Sequence, residues 1–301
     1  MPIDLTVVLV RWLQFAAAVV VLGLPLFQMY APGPVPARSA RWVAIAAGLL
    51  LAAGAAGGLV AQTAMMAGGW AAAVDPASIG YVIQSTGLGM AHIARAALAL
   101  AGVAILMIGQ NRRGAGLIAV LAFAGATASF AWSGHGAASE GALGLIHLTA
   151  DIVHALAAAV WLGALAGFCL MTARSSQVPE GNTVRSLASF AGVGTTAVVT
   201  LAITGLVNAA FLVGADGVTR VVGSTWGLLL LGKLALFVTM LGLAAHNRFT
   251  LTPALSKASH TSGTAGALQR LRLSIGAEMA AGLALLGLVA AMGVQMPPVS
   301  M

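Results

Sequence analysis

Apolar runs of about 20 residues recur along the whole of this 301-residue chain, and they constrain its fold more than any other feature. A helix of that length crosses the roughly 30 Å hydrocarbon core of a bilayer, where every backbone polar group must be bonded within the protein. With 60% hydrophobic and 7% charged residues, the chain lies far outside the composition of soluble domains, where about 25% of residues are charged. The sequence therefore predicts an all-α, polytopic transmembrane helical bundle.

Polar and Gly/Pro-rich breaks divide the chain into eight candidate spans, which we interpret as a single integral membrane domain, 1–301. The approximate limits of these spans are 5–30, 41–68, 86–109, 115–133, 143–172, 184–214, 225–248 and 270–294. The first run is too long for the apolar region of a signal peptide, so we expect it to be retained as a span. The segment 75–85 is apolar enough to lie on the membrane surface or to re-enter the bilayer.

Lysine and arginine are distributed unevenly between the connections. Those that follow odd-numbered spans contain Arg38, Arg41, Arg112, Arg113, Arg174, Arg185, Arg248, Lys257, Arg270 and Arg272. The other three connections contain only Arg220. By the positive-inside rule, the basic connections are cytoplasmic, which places both termini and the remaining connections on the outer side. The net charge of +7 therefore reflects topology, and we expect no nucleic-acid partner.

Three polar residues, His147, Asp151 and His154, interrupt the fifth apolar run. Their i, i+4, i+7 spacing places them within about 60° of one another on a helix, and we call them the stripe. An ionisable residue at membrane depth is costly and usually marks an ion path, a proton relay or a ligand site. Imidazole and carboxylate suit divalent metals such as Cu(II) and Zn. We therefore predict that the stripe binds metal; the alternative is that it only packs against polar groups on neighbouring helices.

Other polar residues extend this candidate metal site. His135 lies in the outer connection just before the fifth span, and His92 lies in the third span at a depth comparable to that of the stripe. We include both as candidate ligands, although a structural role for His92 is equally compatible with its position. Arg95 follows His92 by one turn and is expected to neutralise Asp151, because buried charges are normally paired.

Two further charges, Lys233 in the seventh span and Glu278 in the eighth, approach the membrane midplane. A structural ion pair between them is the simpler interpretation, and proton coupling is the alternative. Thr204 and Asn208 in the sixth span are expected to cap the polar interior. Trp161, two turns below the stripe on the same helix face, is placed to close it.

Sulfur ligands must come from methionine, because Cys169 is the single cysteine and excludes an intrachain disulfide or a Cys-pair metal site. Thioether is a soft ligand that favours Cu(I). Met90, Met292 and Met296 map to the outer half, and we regard them as possible accessory ligands. Most other methionines are expected to be packing residues.

These residues resemble the copper resistance protein D (CopD) family of polytopic proteins of the bacterial inner membrane. The resemblance runs along nearly the whole chain and rests on the order and spacing of several motifs. The motifs are RWLQF, STGLGMAHIAR, SGH, DIVHALAAAVWLGAL, WGLLLLGKLALF, NRFTLTPAL, LRLSIGAEMAAG and MPP. The resemblance implies copper handling, a periplasmic outer side, and a periplasmic CopC-like copper-binding partner acting in trans. It assigns no metal ligands, so the candidate site rests on the residues themselves.

Three functions fit these features. The leading hypothesis is a copper permease, in which ions enter near His135 and the methionines, bind the stripe and pass inward. The second is a b-type haem redox protein, with His92 and either His154 or His147 as axial ligands. The third is a copper chaperone or assembly factor that binds copper at the outer face without conducting it. The sequence contains no nucleotide-binding domain, P-loop or phosphorylatable Asp motif, so an ATP-driven pump is excluded and no enzyme activity is expected.

Overall fold

Eight long, apolar helices form the body of the bundle. The computed structural model describes residues 2–31, 37–109, 114–134, 141–173, 178, 180–214, 217, 221, 223–258 and 264–300. Within these ranges the helices are α1 (Pro2–Tyr30), α2 (Ala37–Ala67), α3 (Trp70–Ala73), α4 (Pro76–Ser85), α5 (Gly87–Ile108), α6 (Ala115–Ala128), α7 (Gly141–Ala173), α8 (Glu180–Val213), α9 (Thr225–His246), α10 (Thr252–Ala258) and α11 (Thr264–Met292). A 3₁₀ turn, Ser129–Ser133, extends α6, and a π-helical turn, Asn247–Leu251, joins α9 to α10.

The predicted all-α bundle with eight spans is confirmed. Eight helical segments are long and apolar enough to cross a membrane, with α9, the π-helical turn and α10 forming one of them. Each predicted span overlaps one of these segments. The largest difference is in the seventh span, which continues past the predicted limit of 248 to Ala258, because the π-helical turn and α10 prolong α9. The eighth span begins at Thr264 instead of 270, because the helix continues into its polar flank beyond the apolar run.

The segment between the second and third spans folds as the short helices α3 and α4. Asp75 caps α4 by accepting a hydrogen bond of 2.9 Å from the backbone N–H of Ser78, and Pro76 follows at the first helical position. The hydrogen bonds from Ser78 hold the pKa of Asp75 below its ordinary value. A Cβ built on Gly89 would lie 2.3 Å from the carbonyl oxygen of Val82, so α4 packs closely on α5.

Helix α1 lies at the centre of the bundle, where it contacts α2, α6, α7 and α11. Val21, Leu24 and Phe27 are fully buried. The ring of Phe27 packs edge-on against Phe168 of α7, with ring centroids 4.9 Å apart. The core is therefore organised around the contact between the first and fifth spans.

Glycine faces glycine where α1 and α7 cross. A Cβ built on Gly163 would lie 2.3 Å from the Cα of Gly23, and one built on Gly167 would lie 2.5 Å from Cδ1 of Phe27. Small residues four apart allow membrane helices to approach this closely. His154 precedes Gly163 by nine residues, about two and a half turns, so it projects from the opposite side of α7. The crossing therefore turns the stripe away from the closest α1 contact.

Helices α8 and α9 lie at the edge of the bundle. Helix α8 packs on α7, and α9 packs on α11. Within the most apolar window of each span, 50% of residues are buried in the first span, 17% in the sixth and 6% in the seventh. The large apolar side chains exposed on these two helices include Val199, Ile203, Leu206, Leu228, Leu231 and Val238. Both helices therefore present much of their surface to lipid.

Candidate functional site

The stripe lines a single cavity of about 210 Å³, which we call the outer cavity. We use the predicted orientation to name the two ends of the bundle, so the outer end is the one where α7 begins. The cavity lies between α1, α6 with its 3₁₀ turn, α7, α8, α9 and α11. Its polar or sulfur-containing lining residues are Arg11, Thr127, His147, Asp151, His154, Asn208, Trp226, Lys233 and Met292. The structure therefore brings the three predicted ligands to one space.

The side chain of His154 is oriented by Thr204 of α8. Its Nδ1 lies 2.8 Å from the Oγ1 of Thr204, and that hydroxyl lies 2.6 Å from the carbonyl oxygen of Thr200. The single hydroxyl proton is donated to this carbonyl, so Oγ1 accepts from the Nδ1–H of His154. The neutral ring then carries its lone pair on Nε2. That arrangement is the one a metal-binding imidazole requires.

Asp151 is the carboxylate that lines the outer cavity. Its Oδ1 accepts a hydrogen bond of 3.3 Å from Nδ2 of Asn208, as expected from the predicted capping role of α8. Lys233 and Arg11 both interact with it electrostatically. Arg11 also donates from Nη1 to the carbonyl oxygen of Ser133, at 2.9 Å. The charges of two cations therefore act on this carboxylate and compete with any bound metal ion.

His147 lies nearest the outer end of the stripe. Its ring stacks on Phe211 of α8, with the two planes within 2° and centroids 4.6 Å apart. The side chain is buried and lines the outer cavity. Seven residues separate it from His154, which corresponds to about 10 Å along the helix axis. The two imidazoles therefore form successive positions and not a chelating pair.

His92 lies outside the outer cavity, in a polar cluster between α1, α2 and α5. Its Nδ1–H donates to the carbonyl oxygen of Leu88 at 2.9 Å. A Cβ built on Gly58 would lie 2.8 Å from its Nε2 and 2.7 Å from Nε2 of Gln14. The ring is therefore held between α1, α2 and α5, and it does not line the outer cavity. This position favours the structural role over the ligand role.

Arg95 belongs to the same cluster as His92. Its guanidinium donates to Oε1 of Gln14 at 2.8 Å, to Oγ of Ser133 at 2.8 Å and to the hydroxyl and carbonyl oxygens of Ser129. It also lies 3.7 Å from the ring centroid of Phe130. These contacts differ from the expected pairing with Asp151. The guanidinium is satisfied by neutral oxygens and an aromatic face, because α5 turns this residue toward α1 and the 3₁₀ turn.

Two larger cavities continue from the outer cavity along α7. The middle cavity, about 390 Å³, shares His154, Ala158, Lys233, Leu285 and Leu286 with the outer cavity. The inner cavity, about 510 Å³, extends to the π-helical turn and shares Trp161 with the middle cavity. Both lie between α7, α8, α9 and α11. The three cavities therefore form a row that runs through the bundle.

Glu278 lines the inner cavity, and its partners are Trp161 and Asn247. The indole Nε1 donates to Oε1 at 3.0 Å, and Nδ2 of Asn247 donates to Oε2 at 2.9 Å. Lys233 lines the outer and middle cavities and interacts with Asp151. Glu278 and Lys233 therefore do not form the ion pair that was predicted from their depth, because each has other partners.

Of the three methionines predicted as accessory ligands, one lies in the outer cavity and two lie outside it. Met292 is buried and lines the outer cavity, whereas Met90 and Met296 are exposed. His135 lies outside the described residues. Within the described ranges, no three His, Cys, Asp or Glu side chains converge with metal-binding geometry. The stripe therefore offers a series of donors in place of one closed coordination sphere.

Sequence reasoning missed two residues near the stripe: Arg11, which lines the outer cavity, and Phe211, which stacks on His147. Arg11 was recognisable as a charge within the first apolar run, and this was the signal that could have placed it in the site. Phe211 carried no such signal, because an aromatic residue in an apolar span is ordinary. Its stacking on His147 depends on how α7 and α8 pack.

The fold and the row of cavities define a multi-pass membrane protein with a polar interior. Two family models match the chain: Copper resistance protein D-like, N-terminal domain, over residues 1–145, and Copper resistance protein D, over residues 184–292. The stripe and Trp161 lie between these two matched segments. No solved structure matches the chain.

Two curated relatives span most of the chain. Copper resistance protein D of Pseudomonas syringae pv. tomato is 36% identical over 96% of this chain and 96% of its own length. Inner membrane protein YebZ of Escherichia coli (strain K12) is 27% identical over 82% of this chain and 85% of its own length. The chain therefore belongs to the copper resistance protein D family, as the sequence motifs predicted. It is a multi-pass protein of the inner membrane with a copper-related role.

Proposed function

We propose that this protein moves copper from the periplasm toward the cytoplasm, through the outer cavity and then along the row of cavities beside α7. The observation that carries the proposal is that His147, Asp151 and His154 all line one cavity, and that His154 lies where this cavity meets the next. Orientation with both termini in the periplasm, as the loop charges predict, is part of the proposal. Supply of copper by a periplasmic CopC-like protein in trans is part of it too.

The donor arrangement supports passage of an ion more than permanent storage. Successive imidazoles about 10 Å apart along the helix cannot hold one ion together, so an ion would pass from donor to donor. The Nε2 lone pair of His154 and the carboxylate of Asp151 are ligands suited to copper, and Met292 adds a soft thioether. Lys233 and Arg11 near Asp151 keep binding weak, which favours release.

The cavity geometry favours a metal ion over haem. His92, the proposed partner ligand on a facing helix, is held between Leu88 and Gly58 and does not line the outer cavity. We therefore propose copper as cargo and assign no enzymatic step to the protein.

Copper uptake into proteoliposomes tests the proposal. We expect uptake by the wild-type protein, loss of uptake in His154→Ala, and unchanged uptake in His246→Ala, which alters an exposed histidine outside the cavities. Metal content by mass spectrometry on the same preparations separates binding from transport. Bound copper without uptake would replace the permease by a chaperone or assembly factor, and a haem absorbance band would replace it by a redox protein.

A further inference from the structure

A second polar site lies at the inner end of the row of cavities, around Glu278. The side chain is 2% exposed, and its two oxygens accept hydrogen bonds from Trp161 and Asn247. Both donors are neutral groups. A buried carboxylate that is solvated only by neutral donors is costly when charged, so this site favours the uptake of a positive charge.

The charged side chains near Glu278 do not prevent it from taking up a positive charge. The ionisable side chains that approach this region are Cys169 of α7, Lys233 of α9, Arg248 of the π-helical turn and Arg272 of α11 itself. Arg248 is exposed and donates to Oγ1 of Thr195, and Lys233 interacts with Asp151 in the outer cavity. Helix α8 lines the inner cavity with Thr195 and apolar side chains.

Asn247 is suited to a carboxyl group that changes its protonation state. Its side chain is 6% exposed and lines the inner cavity, and its Oδ1 is buried without a hydrogen-bond partner among the described residues. The amide donates to a carboxylate through Nδ2. After rotation by 180° it accepts through Oδ1 from a carboxylic acid O–H. The residue opens a π-helical turn, a feature that is frequent at functional sites.

The oxygen atoms at this site favour a proton over Cu(I) as the bound species. A carboxylate and an amide oxygen are hard ligands, whereas Cu(I) favours sulfur and nitrogen. Imidazole and thioether groups line the outer cavity instead, and the nearest imidazole on α7, that of His154, lies about 10 Å of helix rise from Trp161. The inner site is therefore distinct from the copper ligands and suits a proton.

Trp161 connects this site to the row of cavities. It lines both the middle and the inner cavity, and its indole N–H is bonded to Glu278. A hydrogen bond to a carboxylate is charge-assisted and is roughly twice as strong as one to a neutral acceptor. Charged Glu278 thus holds the indole between the two cavities, and protonation weakens that hold.

We propose that Glu278 and Asn247 form a proton-binding site, and that proton binding there releases Trp161 and joins the middle and inner cavities. In this reaction the carboxylate takes a proton from hydronium in the aqueous phase and leaves water, and the reverse reaction returns the proton to water. The existence of the site is independent of copper, whereas its coupling to copper movement rests on the proposed function.

Infrared pH titration of the full-length protein in liposomes tests the site itself. We expect a pH-dependent carboxyl signal that is lost in Glu278→Gln and retained in Asp75→Asn, which alters an exposed carboxylate. Identical titrations of wild type and Glu278→Gln would overturn the proposal. If Glu278→Gln does not fold, Trp161→Phe must change the midpoint of the signal while Trp132→Phe does not, and an unchanged midpoint would overturn it equally.

Coupling is tested in proteoliposomes that contain a pH-sensitive dye. We expect addition of copper to wild-type vesicles to cause proton movement, and Glu278→Gln to abolish that movement while still binding copper. Proton movement equal to wild type in Glu278→Gln would overturn the coupling. Failure of copper to enter wild-type vesicles, with the infrared titration intact, would instead overturn the proposed function and leave the proton site standing.

Discussion

The Nδ1 of His154 on α7 lies 2.8 Å from the hydroxyl oxygen of Thr204 on α8, and that hydroxyl already donates its proton to its own helix. The contact therefore fixes the tautomer of the imidazole as well as its direction. It also joins the helix that carries the stripe to a helix at the lipid-facing edge. The availability of Nε2 for a metal thus depends on how α7 and α8 are packed.

Replacement of Thr204 tests this relationship. Thr204→Val keeps the shape of the side chain but removes the acceptor, so Nδ1 loses its partner and the tautomer is no longer fixed. We expect copper affinity to fall about 10–100-fold, the usual effect of losing a partner of a metal-binding histidine. Competition titration with a chelator measures this. Thr239→Val is the matched control. The hydroxyl of Thr239 also donates to a carbonyl oxygen of its own helix, but this residue is exposed and contacts no histidine. An equal loss of copper affinity in both variants would contradict the prediction.

Lys233 is expected to weaken copper binding, because its charge interacts with Asp151. Lys233→Met removes a competing cation next to the carboxylate, and affinity should rise on the order of tenfold. Isothermal titration of purified protein provides the measurement. Lys257→Met removes the same charge from an exposed position and should leave affinity unchanged. Weaker binding in Lys233→Met would indicate that the lysine positions Asp151.

Arg95 is expected to contribute to stability and not to copper binding. Arg95→Lys keeps the charge but loses the planar fork that reaches Gln14, Ser129 and Ser133 together. We expect a loss of about 1–3 kcal/mol in the free energy of unfolding, with unchanged copper content. Thermal unfolding in detergent and mass spectrometry provide the two measurements, with exposed Arg38→Lys as the control. Loss of copper from folded Arg95→Lys would return this residue to the metal site.

The crossing of α1 and α7 leaves no room for a side chain. A Cβ on Gly163 would meet the Cα of Gly23 at 2.3 Å, and backbone atoms cannot move aside as a flexible side chain does. We expect Gly163→Ala to destabilise the protein by at least about 1–3 kcal/mol. Gly57→Ala, in open space on α2, should be neutral or stabilising because alanine favours helix over glycine. Similar melting temperatures for the two variants would show that the helices can separate at this point.

The sequence predicted the spans well because the bilayer imposes length and composition on each helix separately. It also placed the three residues of the stripe on one helix face, since residues on one helix keep fixed angular relations, and all three line the outer cavity. Their binding of metal stays a prediction. Contacts between side chains on distant spans could not be predicted from the sequence. Arg95 was predicted to pair with Asp151, and Glu278 with Lys233, because only the charge and the membrane depth of each residue can be read from the sequence. Their partners are decided by which face each helix turns inward.

The inner site also could not be predicted from the sequence, because its residues come from distant parts of the chain. Trp161 and Glu278 are 117 residues apart, and Asn247 lies in a π-helical turn that no apolar period reveals. Glu278 was recognisable as a charge within the eighth span, but nothing in the sequence joined it to Trp161 or Asn247. Only the packing of α7 against α11, together with the turn after α9, places them around one carboxylate.

The position of α8 and α9 gives the surrounding bilayer a direct influence on the interior. These helices form one side of the middle and inner cavities, while α7 and α11 form the other side and are held against α1. Because lipid tails contact the outer surfaces of α8 and α9, we expect membrane thickness and lateral pressure to change the width of the cavities more than the glycine crossing. Lipid composition is then a variable to control in any measurement of copper movement.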